Sequence, residues 1–242
     1  MSAAHCLMGM QILRKFRHHG GMHLTSAAGG QSRFLTDVVG GRDEKRRATS
    51  RGLADAAFRL ATERGFDGFV VEDVTALAGY SRRTFANHYS CKEDAVASVL
   101  LNKAGAAVDA SSLSVLASFE GTDIDLLELL LLSAVDIQLV DYMISLRHLL
   151  RTHEPLLPYV LAVGVPMTER VGDVIALAVG PSRDTLTTSL LIHSTWGAVI
   201  AVLRGVYDPW VDAATDDERV DALRAYWVTT FDRFRTGFGP VA

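Results

Sequence analysis

Cysteine is nearly missing from this 242-residue chain. Cys6 and Cys91 stand in unlike settings, so no disulfide framework is expected and a reducing compartment suits the chain. Strand-like alternation of apolar and polar residues is scarce as well, which predicts an all-α fold. A long unbroken apolar run is also lacking. The strongest apolar stretch, Ile124 to Val140, is broken by Asp125, Glu128 and Asp136, short of the roughly 18 residues a membrane span needs. The first residues include Arg14, Lys15 and Arg17 but no sustained apolar core with a cleavage site, so no secretory signal is expected and a cytoplasmic protein is predicted.

What is present is an ordinary globular composition, 49% hydrophobic and 21% charged, enough for one large domain or a small one joined to a larger. The formal net charge is −4, but its distribution is uneven. Residues 1–94 hold 14 Lys/Arg against 10 Asp/Glu, a net +4, and residues 95–242 hold 10 against 18, a net −8. Any contact with a polyanion therefore belongs to the first part of the chain.

Residues 1–41 read as a disordered tail, interrupted by Gly20-Gly21, Gly29-Gly30 and Gly40-Gly41. Three of its histidines, His18, His19 and His23, fall near one another, but in a flexible tail no metal site is expected from them. Residues 42–91 then form a small helical domain. Leu53, Ala56, Ala57, Leu60 and Ala61 recur at helical spacing, with Phe58 adding bulk, in a first helix over about Lys45 to Arg64 closed by Gly65. A short helix over Val71 to Ala78 ends at Gly79, and Ser81 caps a third helix from Arg82 to about Tyr89. Val74, Ala78, Tyr80, Phe85 and His88 fall where a helix-turn-helix needs packed groups, with Gly79 in the left-handed turn. Ser90 is placed to cap a fourth helix, from Lys92 to about Asp109.

Beyond Gly105, helices are expected near 124–138, 140–152, 156–179, 185–206 and 216–235, with breaks at Gly121, Pro155, Gly180-Pro181 and Pro209. Pro166 should kink or split the third of these. Residues 92–242 thus form a second, larger helical domain. The acidic run Asp216, Asp217, Glu218 is expected to serve the N-terminal dipole of the last helix. His88 and Cys91 could be drawn as a dyad, but no third group accompanies them.

The stretch from Thr49 to Val96, about a fifth of the chain, combines the Ala-Ala core of the first helix, Gly65-Phe66, Val71-Glu72-Asp73-Val74, Ala78-Gly79, Ser81-Arg82 with Thr84-Phe85, and His88-Tyr89-Ser90 with Lys92-Glu93. It resembles the N-terminal DNA-binding domain of the TetR family of transcription regulators. Three departures stand out: Val70 replaces the usual Thr or Ser before the second helix, Thr75 replaces a small Ala, and Ala86 stands where many members carry a phosphate-touching Tyr.

The resemblance implies a homodimeric repressor on double-stranded DNA, released from a palindromic operator by a small molecule. Arg82, Arg83 and Asn87 have the chemistry to read bases, Arg pairing with guanine and Asn with adenine. Ser81 caps the reading helix, and Thr84, His88 and Lys92 are expected at phosphates. In the larger domain, Ser189, Ser194, Gly197, Ala198 and Ala201 would let helices approach across a two-fold axis, with Trp196 and Trp227 supplying interface area. Tyr142, Met143, His148, Tyr159, Met167 and His193 are candidate ligand contacts. The segment from Arg147 to Leu161 loosely resembles acyl-CoA-like ligand domains, so the expected effector is apolar or acyl-bearing. No cofactor or metal is expected. Two alternatives stay open: a DNA binder of the same fold without an effector, and an all-α enzyme, for which the sequence offers no converging acid, base and nucleophile.

Overall fold

The computed structural model describes residues 41–102, 119–179 and 184–237. The expected N-terminal tail, the Gly180-Pro181 break and the far end of the fourth helix lie outside the described residues. Among those described, every regular element is helical. The α-helices are α1 (Gly41–Arg64), α2 (Val71–Ala78), α3 (Arg82–Ala86), α4 (Lys92–Ala97), α5 (Asp123–Ala134), α6 (Ile137–Thr152), α7 (Leu157–Val179), α8 (Thr185–Leu203) and α9 (Asp216–Thr236). Short 3-10 turns sit at Phe66–Gly68 and Glu154–Leu156. Residues from Arg46 onward form one compact unit, in which the helix-turn-helix and the following helices share a continuous core.

The first helices are built as their apolar spacing dictates. Leu53, Ala57, Leu60 and Ala61 of α1 are buried together with Phe66, Phe69, Val74, Phe85 and Tyr89. At Gly79 the backbone turns left-handed, φ 74° and ψ 28°, and the Gly79 and Tyr80 amides both donate to the Thr75 carbonyl. A side chain with a Cβ resists that conformation, so glycine is what lets α2 stop and α3 leave at a new angle. Tyr80 is more exposed than its spacing implied, lying over Gly52 of α1 rather than inside the core. α3 is also shorter than expected: it ends at Ala86, and Asn87 and His88 occupy the turn behind it.

In the body, α7 packs on α8 and α4, α6 on α8 and α9, and α5 on α9. Helix starts are secured by side chains. Thr122 and Asp125 form a reciprocal capping box on α5, and Thr215 and Glu218 form one on α9. Glu218 accepts from the Ala214 and Thr215 amides, which gives the acidic run its place at the helix start. Arg235 bridges Asp125 at 2.7 Å and Glu128 at 2.6 Å, joining the end of α9 to the start of α5. Arg224 donates to the Val135 carbonyl and covers the end of α5.

Three expectations are refined or change. Of the two outcomes expected at Pro166, a split does not occur: α7 continues through it. Trp227, expected at an interface, is 2% exposed and belongs to the core of the single chain. A third concerns membrane-length helices. α8 carries no Asp, Glu, Lys or Arg, and by length and hydropathy it could cross a membrane. Its Thr, Ser and His residues hid this from a search for unbroken apolar runs. Here α8 lies in the helical body, with Thr188, Ile192, Thr195, Val199, Val202 and Leu203 buried.

α7 and α8 meet closely at Gly164, where a Cβ would collide with Nε1 of Trp196. The indole fills the space that glycine leaves. Gly164→Ala should therefore force α7 and α8 apart and destabilise the protein by about 1–3 kcal/mol, against the small gain a helical alanine normally brings. Urea unfolding of the two proteins measures this, and an unchanged midpoint would show that Trp196 swings away without cost.

Candidate nucleic-acid interface

The candidate surface starts at the end of α2 and runs over α3. Ser81 is the N-cap of α3: its Oγ accepts from the Thr84 amide at 3.0 Å and lies 2.9 Å from the Thr84 hydroxyl. Phe85 is buried and its ring sits 5.8 Å from that of Tyr89, so one side of this short helix is pinned. Tyr89 Oη donates to the Ser50 carbonyl at 2.9 Å, tying the chain after α3 back to α1. Burial pushes the Tyr89 hydroxyl above its ordinary pKa, which keeps it a donor. With Phe85 inward, Ser81, Arg82, Arg83 and Asn87 are exposed and Thr84 half-buried.

Arg82 reaches back to Glu72 of α2 at 2.9 Å, with both side chains largely in solvent. Such an exposed pair is weak and can be exchanged for a phosphate or base at little cost. The departures noted in the sequence have local solutions. At Val70 no side chain caps α2, but Asp73 accepts from the Val70 amide at 2.9 Å. The buried Thr75 hydroxyl donates to the Glu72 carbonyl at 3.0 Å.

His88 is half-buried behind α3. Its burial, aided by the positive charge of Arg46, holds the imidazole below its ordinary pKa. Arg46 points to a feature that was not singled out from the sequence. Arg46, Arg47 and Arg51 are exposed on α1. Basic residues near a helix N-terminus oppose the macrodipole, so the signal was legible: a Lys-Arg-Arg run set where a helix disfavours it.

Lys92 is placed differently from expectation. It opens α4, but its ammonium turns inward, donating to the Phe66 carbonyl and to the Phe69 carbonyl at 3.1 Å, and lies 4.8 Å from the Phe69 ring centre. A side chain so engaged is not free to meet a phosphate. The cap of α4 differs too: Cys91 is the capping residue, and the Ser90 amide and hydroxyl both bond to the Asp94 carboxylate.

The six candidate ligand contacts do not gather in one described cavity. Tyr142 faces α1, its hydroxyl 3.3 Å from Asp55 and its ring 4.7 Å from Phe58. Burial and the Asp55 charge push its pKa up to about 12. It lines an open cleft of about 390 Å³ with Asp55, Phe58, Arg59, Asp141 and Ser145. Met143 is buried, and Tyr159 faces Cys91, whose thiol raises the Tyr159 pKa. Met167 is half-buried on α7, whereas His148 and His193 are exposed. His193 bonds only along its own helix, to the Ser189 carbonyl at 2.8 Å. Among the described residues, no group of three His, Cys, Asp or Glu is arranged to hold a metal.

Residues 53–99 match the domain profile of bacterial regulatory proteins of the tetR family. The matched segment carries the left-handed turn, the capped α3 and its buried Phe85. Residues 53–99 are therefore a DNA-binding segment of the tetR-family type. That segment is a helix-turn-helix, with α2 and α3 joined through the left-handed Gly79. Among solved structures, the chain is similar to a transcriptional regulator of the TetR/AcrR family from Thermobifida fusca, at 19% identity over 76% of this chain and 97% of that one, with a TM-score of 0.37. No curated protein matches the chain.

Lys92→Met retains the stem over the aromatic rings and removes both hydrogen bonds to the 66–69 turn. It should destabilise the protein by about 1–3 kcal/mol, as expected when buried carbonyls lose a charged donor. Thermal unfolding checks this; an unchanged melting temperature would mean that water replaces the ammonium.

Proposed function

We propose that this protein is a homodimeric TetR-family repressor that grips a palindromic operator and is released by an apolar or acyl-bearing small molecule. The observation that carries the reading is the outward set Ser81, Arg82, Arg83 and Asn87 on and just after a recognition helix whose other face is pinned by Phe85. Arg82, Arg83 and Asn87 read base edges, Ser81 caps the reading helix, and Thr84 and His88 lie toward phosphates. Arg46, Arg47 and Arg51 add positive charge on the same domain. Residues 42–91 serve as the DNA-binding domain, and 92–242 as the ligand-binding and dimerisation domain. The protein works in the cytoplasm, where its operator is.

Dimerisation is supported by an exposed stripe on α8. Leu186, Leu190, His193, Ser194 and Gly197 recur at helical spacing on its open side, and Val228 is exposed on α9. Small residues in that stripe allow close approach of a second copy. The two-fold symmetry of a dimer matches a palindrome whose half-sites lie about 34 Å apart. For the effector, the described opening is the cleft that Tyr142 lines with Asp55, Phe58 and Ser145. A shift of a few ångströms passed through α4 would change the separation of the recognition helices.

Arg83→Ala or Asn87→Ala should each relax sequence choice at one operator position and cost about 1–3 kcal/mol. Arg46→Ala and Arg47→Ala should instead weaken all sequences alike and lower the salt slope by about one each. Site selection followed by salt titration separates the two classes; an Arg83 variant with unchanged preference removes Arg83 from the reading set.

Burial and Arg46 hold the His88 pKa below its ordinary value, so a phosphate that pairs with the charged imidazole draws a proton onto it on binding. The sign follows: operator affinity rises as pH falls from about 8 to about 6, and His88→Gln flattens that rise. Anisotropy titrations across this range test it, and equal pH profiles would place His88 away from the phosphates. Induction is tested by calorimetric titration of an acyl-CoA series into free protein and into the operator complex. A 100-fold release corresponds to about 2.7 kcal/mol of coupling and must appear as an equal loss of ligand affinity in the complex. Equal affinities in the two would leave a constitutive DNA binder.

A further inference from the structure

α6 is attached to the helix-turn-helix domain at two separate places. Near its start, Tyr142 meets α1 at Asp55 and Phe58. At its end, the His153 ring stacks on Phe66, with centres 3.9 Å apart and planes 11° from parallel. The two residues are eleven positions apart, about 16 Å along a helix. One such contact would act as a pivot; two hold a line against a line and stop rocking about either.

The attachment at His153 is the more constrained. Its amide donates to the Leu149 carbonyl at 2.8 Å and its carbonyl accepts from the Leu156 amide at 3.1 Å, so the backbone is held on both sides. Pro155 follows within the 3-10 turn and stiffens the corner. Its flat face covers Phe66, and its Nε2 lies 3.3 Å from the Glu93 carboxylate of α4, close enough for charge attraction though without hydrogen-bond geometry, with both side chains mostly shielded from solvent. Phe66 is fixed independently, because Lys92 holds its carbonyl. The ring therefore joins three elements: the turn after α1, the start of α4 and the α6–α7 corner.

We propose that His153 is a positioning residue for operator binding, stacking on Phe66 beside Glu93 to hold the helix-turn-helix at a fixed angle to the helical body. The inference rests on the operator-binding dimer argued above. Two recognition helices reach successive major grooves only at a set separation, and a domain left to rock must be ordered at each binding event. The His153 side chain is mostly shielded from solvent, packed on Phe66 and beside Glu93, so its loss should lower affinity without removing a phosphate contact.

The test uses the full chain and DNA from upstream of its own gene, with affinity read by fluorescence anisotropy at several salt concentrations. His153→Ala should weaken binding about tenfold, the size expected when pre-organisation is lost, with unchanged salt slope. His153→Phe keeps the stack and should recover binding to within about threefold of the native protein. In a Phe66→Leu background, where the stack is already gone, His153→Ala should cost little more. The proposal is overturned if folded His153→Ala binds as the native protein does, if His153→Phe is as weak as His153→Ala at equal melting temperature, or if the salt slope falls by about one, which marks a direct phosphate contact. Should His153→Ala fail to fold, Glu93→Gln carries the test: a loss of about threefold supports the joint, and native affinity overturns it. A native protein that binds no such DNA would refute the operator reading itself, an outcome distinct from all of these.

Discussion

The ammonium of Lys92 sits where the DNA-binding segment meets the rest of the molecule, and much of the arrangement depends on it. A turn such as 66–69 exposes carbonyls that no helix satisfies, and inside a protein an unpaired carbonyl is costly. Lys92 supplies a charged donor to two of them, at Phe66 and Phe69, from the first position of α4. The phenyl rings of both residues flank the ammonium, adding a favourable field from their faces. Because Lys92 opens α4, this contact fixes the direction in which α4 leaves the helix-turn-helix. It also holds Phe66 in place for His153 and sets Val70 at the start of α2.

The DNA-facing surface is made by the reverse economy. Buried groups there are fully engaged: Phe85 and Val74 in the core, Thr75 on a carbonyl, Tyr89 on Ser50. The exposed groups are held loosely, as in the Arg82–Glu72 pair, or cap the helix they serve, as Ser81 does. A rigid frame with lightly restrained side chains suits recognition on the proposed reading, since base contacts need position from the backbone and adjustment from the side chain.

The helices were legible in the sequence because their boundaries have local chemical causes. Gly79 permits a left-handed turn, Ser81 and Thr215 cap, and the apolar spacing of Leu53 to Ala61 selects one buried face. Boundaries drifted where the cause was not local. α3 stops at Ala86 because Phe85 and Tyr89 are both drawn into the core, a tertiary demand invisible in the run itself. Long flexible side chains were the least legible. Nothing in the neighbourhood of Lys92 says whether its ammonium points to solvent or to carbonyls 23 and 26 residues back. Trp227 met the same difficulty, since an aromatic on an amphipathic helix serves a core or an interface equally well. The ligand contacts scattered for a related reason: helical spacing places a residue on a face, but only packing decides which neighbour that face meets. For Tyr142 the neighbour is α1.

α8 brings these considerations to the helical body. Between Thr185 and Leu203 it carries no formally charged acidic or basic side chain, yet Leu186 and Leu190 are 67% and 60% exposed. A monomer has no use for an uncharged helix face in water, where Lys or Glu would cost nothing in folding and would resist association. The opposite face is already occupied, with Ile192, Val199 and Val202 packed into the core and Trp196 set against Gly164. The same absence of charge that lets α8 pass for a membrane span therefore has two sources on one helix: an inner face that must be apolar to pack, and an outer face kept uncharged. Under the proposed dimer the outer face meets its own copy, and the two chains then hold their recognition helices through a shared, uncharged seam. Rigidity there would complement the aromatic joint at His153, since the spacing of two recognition helices is only as well defined as the softest contact in the path that connects them.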